Sequence, residues 1–204
     1  MQNTNYSLIL QNTIKDIEKL TAKPRLLLHV CCAPCSSYVL EYLNAYFDIT
    51  AYYYNPNISP EKEYLFRADE LVRFITETAY PNVKPEIAEY TPQDFREIAK
   101  GLENEPEGGK RCLKCYEMRL RKTAEKAKTD GYDYFTTTLT ISPMKNSQIM
   151  NDIGRKVSEE IGIPYLFSDF KKKNGYKRSC ELSKQFGLYR QNYCGCEFSK
   201  SKPL

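Results

Sequence analysis

Seven of the eight cysteines in this 204-residue chain stand in three short clusters: Cys31, Cys32 and Cys35, then Cys112 and Cys115, then Cys194 and Cys196. Cysteines used only as small core hydrophobes would be scattered. Clusters so far apart along the chain share a purpose only if the fold brings them together. Four thiolates converging on one point make a metal or iron–sulfur site. A close pair left over makes a redox couple.

Cys112-Leu113-Lys114-Cys115 at a helix start aims two sulfurs at one place, and the helix dipole there is expected to favour thiolate. Joined with the adjacent Cys31 and Cys32 it supplies four ligands, for which zinc and a [4Fe–4S] cluster are the candidates. The adjacency favours iron–sulfur. A compact tetrahedral zinc centre takes spaced pairs, whereas neighbouring cysteines can reach separate irons of a cube.

Cys194-Gly195-Cys196 has one intervening residue. In an extended strand its thiols would point to opposite faces, so a disulfide requires Gly195 to make a tight turn. The resulting ring would be strained and readily reduced, which suits a two-electron couple better than a staple. Cys35, one turn on from the first pair, either holds a further metal ion or packs nearby. Cys180 reads as a buried small hydrophobe. His29 is the only histidine, which excludes any site needing two imidazoles. It is a hydrogen-bonding partner for the cysteine site or a satisfied core residue.

The elements that must position these residues follow from periodicity and punctuation. Residues 6–20 read as an opening amphipathic helix with Leu8, Leu10, Ile14, Ile17 and Leu20 on one face. Apolar or β-branched runs at 25–30, 48–54, 84–90, 134–139 and 164–167 read as strands. Helices are expected at 34–46, from Pro60 to Thr78 with Ser59 as cap, from Pro92 towards Gly101, and at 112–129, 146–161 and 175–186. Residues 103–110 form a polar loop. This alternation predicts an α/β fold, a Rossmann-like parallel sheet with helices on both faces, in a single domain spanning residues 1–204. Functional loops gather at the carboxyl ends of such strands. The first cysteine turn follows the first strand there, and the second cluster opens a helix beyond the third.

Composition sets outer limits. Apolar residues at 41% and charged residues at 27% are ordinary globular values. No apolar run is long enough to span a bilayer. The first residues lack a basic segment followed by an apolar run, so the expectation is a cytoplasmic chain in a reducing compartment, where paired cysteines bind metal or do redox work. A net charge of +4 permits a nucleic-acid partner without requiring one. The basic runs at 110–111 and 119–122 read as solvated faces. The run from Lys171 to Arg178, with Tyr176 inside it, is the best candidate for phosphate contact. No Gly-rich nucleotide loop is present.

Taken together, Leu28-His29-Val30-Cys31-Cys32-Ala33-Pro34-Cys35, then Cys112-Leu113-Lys114-Cys115-Tyr116, then Thr138-Leu139-Thr140-Ile141-Ser142-Pro143-Met144-Lys145, and finally Tyr193-Cys194-Gly195-Cys196 closely resemble the epoxyqueuosine reductase QueH family, over roughly residues 29–199. The resemblance implies a cobalamin-independent oxidoreductase that removes the epoxide oxygen of epoxyqueuosine at the tRNA wobble position, the last step of queuosine biosynthesis. By the family pattern Cys31, Cys32, Cys112 and Cys115 are the [4Fe–4S] ligands, and Cys194 and Cys196 form the redox-active disulfide. Family members also hold an additional iron beside the cluster, for which Cys35 is a candidate ligand. The implied partners are a tRNA carrying epoxyqueuosine and an unidentified electron donor, with no membrane. Two other functions compete. One is a thioredoxin-like thiol–disulfide oxidoreductase built on Cys32-Ala33-Pro34-Cys35, which leaves Cys31, Cys112 and Cys115 without a use. The other is a zinc-stabilised RNA-binding module without catalysis.

Overall fold

The structure is a computed structural model that describes residues 4–199; residues 1–3 and 200–204 of the expected single domain lie outside it. Strands β1 (Arg25–His29), β2 (Asp48–Tyr53), β3 (Val83–Ile87) and β4 (Tyr134–Thr137) form a parallel sheet in the order β3-β2-β1-β4. Among the described residues the helices are α1 (Tyr6–Ile17), α2 (Ala33–Leu43), α3 (Glu61–Thr78), α4 (Pro92–Ala99), α5 (Lys110–Thr129), α6 (Ser147–Ile161) and α7 (Gly175–Gln185). None is long and apolar enough to cross a membrane.

Strand residues alternate between two cores because successive side chains leave opposite faces of a pleated sheet. Leu26, Leu28, Ile49, Ala51 and Tyr53 face a core built with Leu40 and Leu43 of α2 and Leu71 and Phe74 of α3. Leu27 and Tyr52 face the other, with Leu120 and Ala124 of α5 and Met150 and Val157 of α6. Both faces of β1 and β2 are thus covered, which is why their sequences are continuously apolar rather than alternating. On α6, Gly154 lies flat against the Tyr165 ring, where a Cβ would penetrate it. Gly154→Ala is therefore expected to cost about 1–3 kcal/mol despite alanine's better helix propensity. A thermal melt should read this as a fall of several degrees in Tm.

The chain builds β1, β2 and β3 outward, then returns to lay β4 on the other side of β1. The crevice at the carboxyl ends of β1 and β4 is therefore the switch point at which open α/β sheets bind ligands. The first cysteine turn leaves β1 at that crevice. A 3₁₀ turn, Thr138–Ile141, leaves β4 there.

Several expected boundaries shift for local reasons. α1 closes at Ile17 because the Leu20 N–H bonds back to the Ile17 carbonyl. Its buried stripe is Tyr6, Leu10, Ile14 and Ile17, and the expected Leu8 and Leu20 are 51% and 56% exposed. The expected strand at 164–167 is reduced to an isolated bridge between Phe135 and Tyr165. Pro164 offers only its carbonyl, to Phe135 N, and the Thr136 hydroxyl takes the Leu166 carbonyl. Pro60, not Ser59, occupies the cap position of α3. Ser59 instead donates its N–H to the Gly195 carbonyl at 3.0 Å, tying the cysteine-bearing tail to the start of α3.

Candidate active site

The turn after β1 gathers three sulfurs. Cys32 is extended at the cap of α2, and Pro34 sits in that helix's first turn. The Sγ atoms of Cys31, Cys32 and Cys35 all lie within 4.8 Å of one another, with Cys31 and Cys32 3.8 Å apart. Sulfurs bound tetrahedrally to one metal at about 2.3 Å would be separated by about 3.8 Å, so this spacing is within metal-binding range. The Cys31 N–H donates to Thr138 Oγ1 at 3.4 Å, and the Thr138 hydroxyl lies 3.6 Å from Cys31 Sγ. The trio shares its protons unevenly. Hydrogen bonding with Cys32 and Cys35 holds Cys31 well below the usual thiol range, aided by the Lys145 charge and opposed by burial. Cys32 is pushed up to about 12 by donating to Cys31, and Cys35 rises for the same reason. Negative charge therefore collects on Cys31, the form a metal requires.

The second pair lies on the first turns of α5, which begins at Lys110, two residues ahead of expectation. Cys112 accepts the Gly108 N–H at 3.3 Å. Cys115 is buried in a small core with Cys196, Phe95 and Ala99, against which Cys194 packs. Burial pushes its thiol up to about 11, with Arg119 pulling the other way. At Cys115, burial therefore opposes the thiolate that the helix start is expected to favour.

Arg119 lies on the same face of α5, one turn beyond Cys115 and two beyond Cys112. It is only 4% exposed, not on a solvated face. Its partners are neutral: Asn55 Oδ1 at 3.3 Å, the Cys115 carbonyl at 3.3 Å and the Tyr116 ring. No carboxylate pairs with it among the described residues. Its charge acts instead on Cys115, Cys31 and Cys194, and Lys145 acts on the same three sulfurs. Two cations, one on α5 and one on the loop before α6, therefore lie close enough to Cys31, Cys115 and Cys194 to act on all three. Arg111, also expected on a solvated face, is buried and donates to the carbonyls of Leu102, Glu103 and Glu105, folding the polar loop back on α5.

In the tail, Gly195 has φ +102°, a conformation that L side chains rarely adopt, which is how the chain turns both thiols inward. Arg67 Nη1 donates to the Cys194 carbonyl at 3.3 Å, and Ser199 Oγ lies 3.1 Å from Cys194 Sγ. All eight cysteines are free thiols here. The Cys196 thiol and the Ser199 hydroxyl pull Cys194 down to about 5, while donating to Cys194 drives Cys196 far upward. Of the two, Cys194 is the sulfur biased towards thiolate and Cys196 the one biased towards thiol.

Cys31, Cys32, Cys35 and Cys194 line one cavity of about 210 Å³ with Arg119, Lys145, Tyr176 and Tyr193. His29 is not part of it. It is fully buried, held neutral by burial and the nearby Arg119 charge at a pKa of about 3. Its Nδ1 lies 2.8 Å from Thr137 Oγ1, and its Nε2–H donates to the Tyr54 carbonyl at 3.2 Å. His29 is thus a satisfied core residue that ties β1 to β4. Cys180 is partly exposed on α7, not buried as expected.

An all-sulfur donor set with metal-binding spacing beside a buried cation, at the switch point of a parallel α/β sheet, is the kind of site that metal-dependent oxidoreductases use. The family model described as Epoxyqueuosine reductase QueH matches residues 26–202. Proteins of that name are similar over most of their length. One from Streptococcus pyogenes serotype M1 is 47% identical over 97% of this chain and 79% of its own. One from Staphylococcus epidermidis is 46% identical, covering 98% and 87%, and one from Thermotoga maritima is 36% identical, covering 85% and 88%. The chain belongs to the QueH epoxyqueuosine reductase family.

Proposed function

We propose that this protein reduces epoxyqueuosine in tRNA to queuosine, with a [4Fe–4S] cluster held by Cys31, Cys32, Cys112 and Cys115 and with Cys194 and Cys196 as its dithiol couple. The observation that carries the reading is that Cys194 opens into the same cavity as Cys31 and Cys32. The donor set suits an iron–sulfur group: it is all thiol, Cys31 is already biased towards thiolate, and Arg119 offers the anionic cluster a buried counter-charge. Such a cluster supplies one-electron transfer and a Lewis-acidic iron.

Epoxide to alkene breaks both carbon–oxygen bonds of the ring and releases the oxygen as water, consuming two electrons and two protons. Oxidation of a Cys194 thiolate and a Cys196 thiol to their disulfide releases two electrons and one proton, so the electrons balance and solvent water supplies the second proton. The thiolate–thiol division of the pair presets one nucleophilic sulfur and one proton donor. A cavity of about 210 Å³ suits a single splayed-out nucleotide rather than a paired duplex. Tyr176 and Tyr193 at its wall offer rings on which a base can stack.

Anaerobic incubation of iron-loaded protein with epoxyqueuosine-containing tRNA and a reductant, followed by mass analysis of the digested nucleosides, should show loss of one oxygen. An unchanged nucleoside would overturn the reading. The ligand assignment is tested separately. Cys115→Ser should lose most of its iron and visible absorption after anaerobic reconstitution, whereas Cys35→Ser should keep the four-iron chromophore. The reverse pattern would move the site to the trio of Cys31, Cys32 and Cys35.

A further inference from the structure

Beside the cysteine cavity lies a second and larger recess, of about 880 Å³. One wall is the start of α1, including Thr4, Ser7 and Gln11; the other is formed by residues 145–148 and 169–173. Four lysines line it: Lys145, Lys171, Lys172 and Lys173. The carboxylate among them, Asp169, is already engaged by Lys171 Nζ at 3.0 Å and by the Ser147 hydroxyl at 3.0 Å. Among the described residues no carboxylate pairs with Lys145, Lys172 or Lys173, so the groove keeps three uncompensated cations. Arg178, the end of the basic run that the sequence marks for phosphate contact, is instead taken by Glu41 and Glu181. Lys177 lies outside the groove, and the cations that the run contributes to the groove are Lys171, Lys172 and Lys173.

The lysines are held in place. Lys172 N bonds the Asp169 carbonyl and Gly175 N the Lys172 carbonyl, at 3.1 and 3.0 Å. Lys173 and Asn174 are both left-handed, with φ of 53° and 63°, so Lys172 and Lys173 are displayed from a tight turn. Lys145 lines both this groove and the cysteine cavity, which makes the two recesses neighbours. α1 precedes residue 26, where the family match begins, so one wall of the groove is built from outside the matched segment.

We infer that this groove grips the phosphate backbone of the RNA strand flanking the nucleotide that enters the cysteine cavity. The inference rests on the tRNA reading above. Uncompensated lysines spaced along a channel match a polyanion whose charges repeat along its length, and the hydroxyls of Thr4 and Ser7 offer further phosphate donors. A recess between a helix and two turns accepts a strand. An acidic electron-donor protein, the competing occupant of a basic surface, needs a broad face on which to dock.

The test uses the full chain and a fluorescein-labelled hairpin of anticodon stem-loop sequence, with binding followed by anisotropy across a salt series. Wild type is compared with the double variant Lys172→Gln/Lys173→Asn, asparagine being chosen because it tolerates the left-handed conformation. Both side chains are exposed, so an unchanged Tm is the check on folding. The double variant should bind about tenfold more weakly at moderate salt, with a log–log salt slope about 1.4 shallower, since each single-strand phosphate contact contributes about 0.7. Lys84→Gln, on β3 at the opposite end of the sheet, should match wild type. Unchanged affinity and slope in the double variant overturn the inference. So does an unchanged hairpin affinity accompanied by a raised KM for a protein reductant, which would assign the groove to the electron donor. Because binding is read without turnover, a wild type that shows this lysine-dependent binding but leaves epoxyqueuosine intact would sink the function and uphold the groove.

Discussion

Cys194→Ser is expected to leave iron content and visible absorption intact while slowing epoxide reduction by at least about a thousandfold, equivalent to some 4 kcal/mol of lost barrier lowering. Serine removes the sulfur that must bond to Cys196 when the pair is oxidised. It also replaces a group with a pKa of about 5 by a hydroxyl that does not ionise near neutrality. The discriminating form of the experiment is single turnover: protein reduced in advance and then freed of reductant, mixed with substrate RNA. Wild type should convert about one equivalent and lose its two reactive thiols, whereas the variant should do neither. Cys196→Ser should be equally defective, and the double substitution no worse, because the two sulfurs act as one unit. A variant retaining a tenth of the wild-type rate would remove the pair from the reaction path.

Arg119→Met is expected to lower the reduction potential of the loaded protein by about 100 mV. The reasoning is electrostatic. A buried cation needs a counter-charge, and here the cysteine sulfurs supply it in place of any carboxylate. Adding an electron to that sulfur-rich centre strengthens its attraction to the guanidinium. At an effective dielectric of about 20, a contact of this kind is worth about 2–4 kcal/mol, or on the order of 100 mV for one electron at 59 mV per tenfold. Methionine fills most of the volume while removing the charge. Arg119→Lys should restore much of the potential, because it returns the charge without the fork of donors to Asn55 and Cys115. A potential unmoved by Arg119→Met would confine Arg119 to a packing role. Iron content and far-ultraviolet circular dichroism separate a shifted potential from a misfolded chain.

Much of this architecture was legible from residue order. β1 and β2 read as buried strands because their apolar runs are unbroken, and the two-core arrangement explains why alternation is missing there. Asn146 and Gly162 bracket α6 as expected: the Asn146 side chain accepts from Gln148 N and Ile149 N, and Gly162 closes the helix with a left-handed φ. The clustering of cysteines pointed to the crevice for the same reason that it would matter chemically. Paired sulfurs are seldom spent on packing alone.

What stayed hidden depended on contacts between distant segments. Arg119 sits in Arg119-Leu120-Arg121-Lys122, which reads as solvent-facing. Its spacing of four from Cys115 and seven from Cys112 was the available signal, since it puts all three on one side of α5. Thr138 looked like the end of a strand, yet it turns into a 3₁₀ segment and supports Cys31 across 107 positions of sequence. Asn55 follows directly on the strand expected at 48–54 and carries no chemical signal of its own. It donates to the Val30 carbonyl at 2.9 Å and receives Arg119, and so couples the turn after β1 to α5. The separation of α1 residues into buried and exposed sets also required tertiary information: Tyr6, not Leu8, is the residue drawn inward, stacking on Phe167.

Of the tail thiols, Cys194 borders the cavity and Cys196 is sealed beneath it, packed on Phe95 and Ala99 of α4. The Ser59 and Arg67 bonds anchor this arrangement to α3. A pair oxidised in that position would be approached through the cavity that Cys194 borders, the one proposed above to receive the modified nucleotide. On the function proposed above, RNA in that cavity and a thiol reagent reaching Cys194 would compete for the same space.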